Sequence, residues 1–298
     1  MVIFANRLMT SIILVLLFIS FPNAAENTEN NKWSENGGYS VLMEQYTATW
    51  CDVCASVDSW MPEYVESNGN RVIRIALHDS VDDPMGTPIT NYRLEKYTEN
   101  LVAPSFWFDG KIISGGSPDT TTLHRSLLSA ENERRGDTEI NLQISLESDE
   151  LHITSQLSDL DNNSDSKILF LIIEDNVKIT NNTDSNGVKL HHDVLFAYNE
   201  IYLSNSSDWM YPVSSWSEID IIGNNVTTKF SFPSTKSIED IEIVVVHESI
   251  KNDTDKKILG ATSIHLGNEN TNQKINIFVP IMAIIFISAI PIIIQFRR

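Results

Sequence analysis

The stretch Thr49-Trp50-Cys51-Asp52-Val53-Cys54 limits what this chain can fold into more than any other. Cys51 and Cys54 are the only cysteines among 298 residues, and two residues part them. An apolar, β-prone run from Tyr39 to Tyr46 leads into the pair, and an amphipathic stretch from Val57 to Val65 leads out. Two thiols at this spacing face each other across the first turn of a helix. The unpaired N–H groups and positive dipole end found there stabilise a thiolate. That is the chemistry of a dithiol–disulfide couple, and the position between strand and helix strengthens the signal. The competing readings are a static structural disulfide and two idle thiols. Zinc would need further Cys or His ligands at suitable spacing; no second cysteine pair exists, so no metal is expected.

Around this turn the pattern alternates. Ser40 to Tyr46 reads as a core strand. Asp52 to Glu66 reads as a helix, with Val57, Trp60, Met61, Tyr64 and Val65 at spacings of three and four. Pro62 would kink it. Arg71 to His78 is a continuous apolar strand of the kind covered on both faces. An acidic loop and a short helix carrying Ile89, Tyr92, Leu94 and Tyr97 follow. Ser105 to Phe108 and Lys111 to Ser114 are strands joined by an Asp109-Gly110 hairpin. Thr120 to Arg135 is a helix that Gly136 stops. Beyond it, seven candidate strands run without a helical period: 139–146, 151–157, 167–174, 194–203, 226–232, 241–247 and 257–266. Short strands with turn-rich links read as a β-sandwich, immunoglobulin-like but without a cysteine pair to pin it. Five Asn-x-Ser/Thr sequons, at Asn162, Asn181, Asn205, Asn225 and Asn252, all fall in this half, as in a glycoprotein.

Both ends carry membrane signals. Residues 1–25 have a short basic start, an apolar run and small residues at Ala24-Ala25, as in a secretory signal peptide. Ile277 to Ile294 is free of charge, and Arg297-Arg298 follow, so residues 275–296 read as a single transmembrane helix with the body outside the cytoplasm. The expected organisation is signal peptide 1–25, flexible leader 26–38, α/β domain 39–136, sandwich 137–267, stalk 268–274 and membrane helix 275–296. The net charge of −19 argues against nucleic acid as a partner.

The run Val41-Leu42-Met43-Glu44-Gln45-Tyr46-Thr47-Ala48-Thr49-Trp50-Cys51, together with Ile75-Ala76-Leu77-His78, Asp83-Pro84-Met85, Ala103-Pro104 and Phe108-Asp109-Gly110, resembles the thioredoxin-like fold. More narrowly it resembles the secreted, outer-membrane-protein-related thioredoxin-like family, in which such a domain precedes a β-sandwich. The fold class expected is therefore an α/β thioredoxin-like domain, an all-β immunoglobulin-like sandwich and one C-terminal transmembrane helix. The resemblance implies that Pro104 is cis and packs beside the dithiol, and that Ala103 and Pro104, with Trp50 as an apolar lip, line a substrate groove. Cys51 is the expected nucleophile with an exposed sulfur, and Cys54 the resolving thiol. One position departs from the family: the buried acid six residues before the first cysteine is here Gln45, which cannot act as a base, while Glu44 points the other way by strand alternation. His191 and His192 are adjacent, so on a strand they face opposite sides and share no metal.

The expected function is membrane-anchored, extracytoplasmic thiol–disulfide exchange on exported proteins, without a cofactor. Partners are exported protein thiols and disulfides, and a membrane redox partner is a candidate. The alternative is a non-catalytic binding or scaffold module with a structural Cys51–Cys54 bridge.

Overall fold

The computed structural model describes residues 32–97, 101–134, 138–158, 160, 165–179, 186–204, 208–251 and 258–267. Strands β1 (Lys32–Gly37) and β2 (Val41–Thr47) come first, then helices α1 (Asp52–Asp58) and α2 (Met61–Asn68) and strand β3 (Val72–His78). Helix α3 (Pro88–Leu94), the hairpin β4 (Ser105–Phe108) and β5 (Lys111–Gly115), and helix α4 (Thr120–Glu133) follow. The remainder is strand: β6 (Ile140–Glu147), β7 (Glu150–Leu157), β8 (Ser166–Glu174), β9 (Val177–Lys178), β10 (Leu190–His191), β11 (Val194–Tyr202) and β12 (Asp208–Tyr211). Strands β13 (Asp220–Ile222), β14 (Asn225–Ser231), β15 (Ile241–Ser249) and β16 (Ile258–His265) complete it.

A five-stranded sheet, β1-β6-β7-β14-β13, lies against a nine-stranded one, β16-β15-β8-β11-β3-β2-β4-β5, in which β12 also pairs with β11. Strands β6 and β7 alternate buried and exposed side chains, so one face meets the core and the other water. Their buried set, Ile140, Leu142, Ile144, Leu151, Ile153 and Leu157, packs on Ile168, Phe170, Ile172, Ile243 and Val245 of the larger sheet. Strand β8 is different: eight of its nine residues are buried. Its other face, Leu169, Leu171 and Ile173, joins Val244 and Val246 in a second core with Leu42, Ile73, Ile75 and Leu77, which Ile89 and Leu94 of α3 cover. On the far side of β2 and β4, helices α1, α2 and α4 bury Val41, Met43, Phe106 and Phe108 beneath Val57, Met61, Tyr64, Leu123 and Leu127.

This arrangement corrects the expected fold class. Strand makes up 47% of the described residues, so an α/β thioredoxin-like domain followed by a separate immunoglobulin-like sandwich does not describe it. The physical reason is the second core. The outward face of β8 and β15 is apolar and needs a cover, and the first half supplies it. The two halves meet in one sheet where β11 pairs in parallel with β3 at Val194 and Ala76. There the Ala76 N–H donates to the Asp193 carbonyl at 2.8 Å. Strand β1, expected to be part of a flexible leader, pairs along its length with β6, from Lys32 opposite Ser145 to Gly37 opposite Ile140. The chain then crosses to the larger sheet at Gly38, whose φ of +112° suits glycine and where a Cβ would come within 2.2 Å of the Thr138 carbonyl.

The membrane expectation is corrected too. Among the described residues no helix is long and apolar enough to cross a membrane. The longest, α4, has 14 residues and would span only about 21 Å, with a polar face besides. The span 275–296, the leader 1–25 and the stalk 268–274 lie outside the described residues. A single-pass membrane anchor is therefore not supported.

Locally, two sequence signals act as physics demands. Asp109 and Gly110 both take positive φ, 49° and 83°, as a two-residue hairpin requires. The long helix expected over 52–66 is two helices, because the ring of Pro62 would clash with the carbonyl of Asp58, where α1 ends.

Candidate functional site

Cys51 is the N-cap of α1, and the Cys54 N–H donates to its Sγ at 3.1 Å. The sulfur thus occupies the place of a capping oxygen. Cys51 and Cys54 are joined in a disulfide with Cα atoms 5.2 Å apart. Strand β4 runs antiparallel to β2, with Ser105 opposite Tyr46. The residues entering β4 therefore arrive beside those leaving β2. This brings the cis peptide Ala103–Pro104 to the disulfide, and Cys51 Sγ lies 3.5 Å from the Ala103 carbonyl oxygen.

Access to the sulfurs is narrow. Cys54 is fully buried, and Cys51, whose sulfur was expected to be exposed, keeps 7% of its surface. The cause is packing: Ala48 and Ala103 close around both cysteines. The surroundings of that small opening are apolar. Trp50 is 46% exposed, Val53 48% and Val102 55%. The groove lining expected from sequence, Trp50, Ala103 and Pro104, did not include Val53 or Val102, although each is an apolar residue at a loop or helix-start position where polar side chains are usual.

Behind the dithiol turn lies a buried polar layer. The carboxylate of Asp83 accepts the Thr49 N–H at 2.7 Å and sits 3.0 Å from His78 Nδ1. Burial alone would raise the pKa of Asp83; the His78 ring and the Thr49 and Met85 N–H donors bring it below the ordinary range. Asn186, from the second half, grips the same turn. Its N–H donates to the Thr49 carbonyl at 2.7 Å and its side-chain amide to the Cys51 carbonyl at 2.9 Å. Sequence spacing carries no signal for a contact between residues so far apart.

Gln45 and Glu44 point to opposite sides, as alternation requires. Gln45 donates to Asp58 at 2.7 Å, Thr47 donates to the same carboxylate at 2.9 Å, and Arg74 donates to the Gln45 side-chain oxygen at 2.9 Å. Arg74 also pairs with Asp58 at 3.3 Å and Asp193 at 2.8 Å. Asp58 lies one turn after Cys54 on the same face of α1. A buried carboxylate is therefore present near the resolving cysteine, carried by the helix instead of the strand. Glu44 turns away to Arg93, Lys96 and Tyr97.

His191 and His192 part to opposite sides. His192 Nδ1 lies 3.4 Å from Asp175, whereas the His191 ring meets the His78 ring edge to face at 5.4 Å. His191 is 4% exposed, and burial, with His78 beside it, lowers its pKa to about 4. It is a neutral imidazole at pH 7. Among the described residues no cluster of three or more His, Cys, Asp or Glu side chains could hold a metal ion. Of the five sequons only Asn225 is described, exposed at the start of β14; the others lie outside the described residues.

No protein-family model matches the sequence, and no curated protein matches it. Two solved structures are similar in fold. HBP35 of Porphyromonas gingivalis matches over 80% of this chain and 78% of that one, with 15% identity and a TM-score of 0.56. A structural-genomics target protein of Agrobacterium tumefaciens matches over 77% of this chain and 95% of that one, with 15% identity and a TM-score of 0.52. At this identity the likeness concerns the fold alone.

Proposed function

We propose that this protein is a thiol–disulfide oxidoreductase that works through Cys51 and Cys54, and that its kinship with the thioredoxin-like family lies in this site. The observation that carries the reading is the disulfide at the mouth of α1, set against the carbonyl of a cis Ala103–Pro104 peptide and rimmed by Trp50, Val53 and Val102. Cys51 caps the helix, where its thiolate gains from the N-terminal N–H groups, so it attacks first. Cys54, fully buried, breaks the mixed disulfide. The clients are disulfide-bearing polypeptides. Their extended chain would lie over Trp50 and along Ala103 and Pro104.

The 7% exposure of Cys51 favours one rival reading, a structural bridge in a binding module. Reduction of insulin by the full chain with dithiothreitol separates the two. Turnover above background that Cys51→Ser abolishes, with client mixed disulfides trapped by Cys54→Ser, supports exchange. No turnover, together with a reduction potential below about −300 mV, the range of structural disulfides, would end the proposal.

A further inference from the structure

The turn between β2 and α1 carries the Cys51 sulfur but belongs to neither element. Within it the Cys51 N–H donates to the Ala48 carbonyl at 3.2 Å. The first half holds it from one side through Asp83, which accepts the Thr49 N–H. The second half holds it from another. The Asn186 N–H donates to the Thr49 carbonyl at 2.7 Å. The Asn186 side-chain amide donates to the Cys51 carbonyl at 2.9 Å and reaches the Ala48 carbonyl at 3.4 Å. The carbonyls of Ala48, Thr49 and Cys51 therefore all meet one residue, at least 135 positions away in the chain.

The local backbone aims Asn186 at this turn. Gly187, at φ +91°, bends the chain so that the Val188 N–H donates back to the Asn186 side-chain oxygen at 3.1 Å. With its oxygen engaged there, the amide offers its NH2 to the dithiol turn. Two of the carbonyls it meets are already satisfied. That of Cys51 accepts the Ala55 N–H at 3.1 Å, and that of Ala48 accepts the Cys51 N–H. What the Asn186 amide adds is constraint on where the Cys51 backbone sits.

That constraint matters once the disulfide is open, because two unbonded sulfurs must move apart. Cys54 is fully buried, so Cys51, with 7% of its surface exposed, is the one with room to swing. If its backbone swung too, the sulfur would leave the Cys54 N–H, which donates to it at 3.1 Å. A thiolate that keeps such a donor is favoured over the thiol. We propose that Asn186 is a positioning residue of the exchange site: by pinning the carbonyls of Thr49 and Cys51 from the second half, it keeps the Cys51 sulfur on the Cys54 N–H in the reduced protein. This rests on the exchange reading above. The second half is then part of the site, and not only the cover of a shared sheet.

The test is the pH profile of iodoacetamide alkylation of the full chain carrying Cys54→Ser, which keeps the backbone N–H and leaves Cys51 as the one thiol. Alkylation follows the thiolate fraction on the acid limb and levels off above the Cys51 pKa. Adding Asn186→Ala should move the midpoint up by about one unit, the lower end of what a hydrogen bond to an ionised group contributes. Alkylation on the acid limb then slows about tenfold, and the plateau is unchanged. Asn186→Leu, which keeps the volume without the hydrogen bonds, should give the same shift. A folded Asn186→Ala protein with an unmoved midpoint overturns the proposal, whether its plateau changes, which reports access, or its urea midpoint falls, which reports a purely structural role. The exchange reading survives that result if the chain with both cysteines still reduces insulin. A chain with both cysteines that does not reduce insulin overturns both. If neither variant folds, hydrogen exchange of the wild type decides: the Asn186 N–H should stay protected after reduction, and loss of that protection refutes the proposal.

Discussion

Replacing Arg93 by Met tests the buried charge network that joins the two halves. Arg93 is 1% exposed and donates to Glu44 at 2.8 Å and to Glu248 at 2.9 Å. Lys96 reaches the same two carboxylates at 2.9 and 3.6 Å. Lys167 pairs with Glu200 at 2.7 Å and approaches Glu248 at 3.9 Å. The first half contributes one carboxylate and two cations, Glu44 with Arg93 and Lys96. The second contributes two carboxylates and one cation, Glu248 and Glu200 with Lys167. Charge balances only when the halves are together. Removing one partner of a buried pair costs about 3–5 kcal/mol. Lys96 still serves both carboxylates in Arg93→Met, so the lower end, about 3 kcal/mol, is expected; that is a large share of a typical total of about 5–15 kcal/mol.

The pH dependence gives the mechanism its signature. Burial would raise the pKa of Glu44, but Arg93 and Lys96 more than offset it and hold the carboxyl below its ordinary range. The same balance puts Glu248 at about 2. Groups with depressed folded pKa values stabilise the protein above the unfolded carboxyl pKa of about 4.3, and that contribution fades as pH falls through the folded value. Without Arg93 burial gains weight, the two carboxylates titrate higher, and their ionisation now works against the fold. The deficit of Arg93→Met should therefore grow between pH 4.5 and pH 7.5. Urea unfolding of both proteins across that range measures it, and adding Glu248→Gln should recover at least about 1 kcal/mol. A deficit under about 1 kcal/mol at pH 7, or one identical at both pH values, would refute the reasoning.

Three further predictions follow from charges elsewhere. Burial is the main cause that raises Glu242 to about 7, with Asp193 and Asp175 adding to it. A raised carboxyl pKa means stability lost as pH climbs from about 4.3 to 7, so Glu242→Gln should be more stable than wild type at pH 8 by about 1–3 kcal/mol and lack that decline; an unchanged pH–stability curve by urea titration would be decisive against it. Asp52, exposed beside Cys51, disfavours the Cys51 thiolate. Equilibration with glutathione should place the couple well below the −120 mV or so of strong oxidants, and Asp52→Asn should raise it by up to about 30 mV; a wild-type value near −120 mV contradicts this. Finally, a fragment ending at Arg134 loses the partner of β1 and Glu248, the second-half carboxylate that Arg93 and Lys96 share. It should lack a cooperative unfolding transition by circular dichroism, and a sharp one would show the first half to be self-sufficient.

How much of this could be read beforehand follows from the range of the forces. Local signals were legible. The Cys51–Cys54 turn between strand and helix, the Asp109-Gly110 hairpin and the seven strands beyond residue 138 depend on neighbours in sequence, and each strand lies within a few residues of its expected span. The dithiol and Pro104 could be paired only through resemblance, since antiparallel β2–β4 register, not spacing, sets that contact. Asp83 and Asn186 were not legible as site residues, because each reaches the dithiol turn through a tertiary contact, and it is likewise tertiary packing that buries Asp58, one turn after Cys54, against Gln45, Thr47 and Arg74.

By itself the amino-acid sequence determined the redox-capable pair, the strand and helix alternation around it and the strand-rich second half. One clue to the rest was there: 168–173 and 243–246 are unbroken apolar runs, which a sandwich strand with a wet outer face would not be. Only the tertiary structure decided that the second face of those strands is covered by the first half, so that one sheet runs through both. The reason is that a hydrophobic face and an unbalanced set of buried charges specify that a partner is needed, but not which one. That choice is made where Leu169, Leu171 and Val244 meet Ile73, Ile75 and Leu77, and where Arg93 meets Glu248.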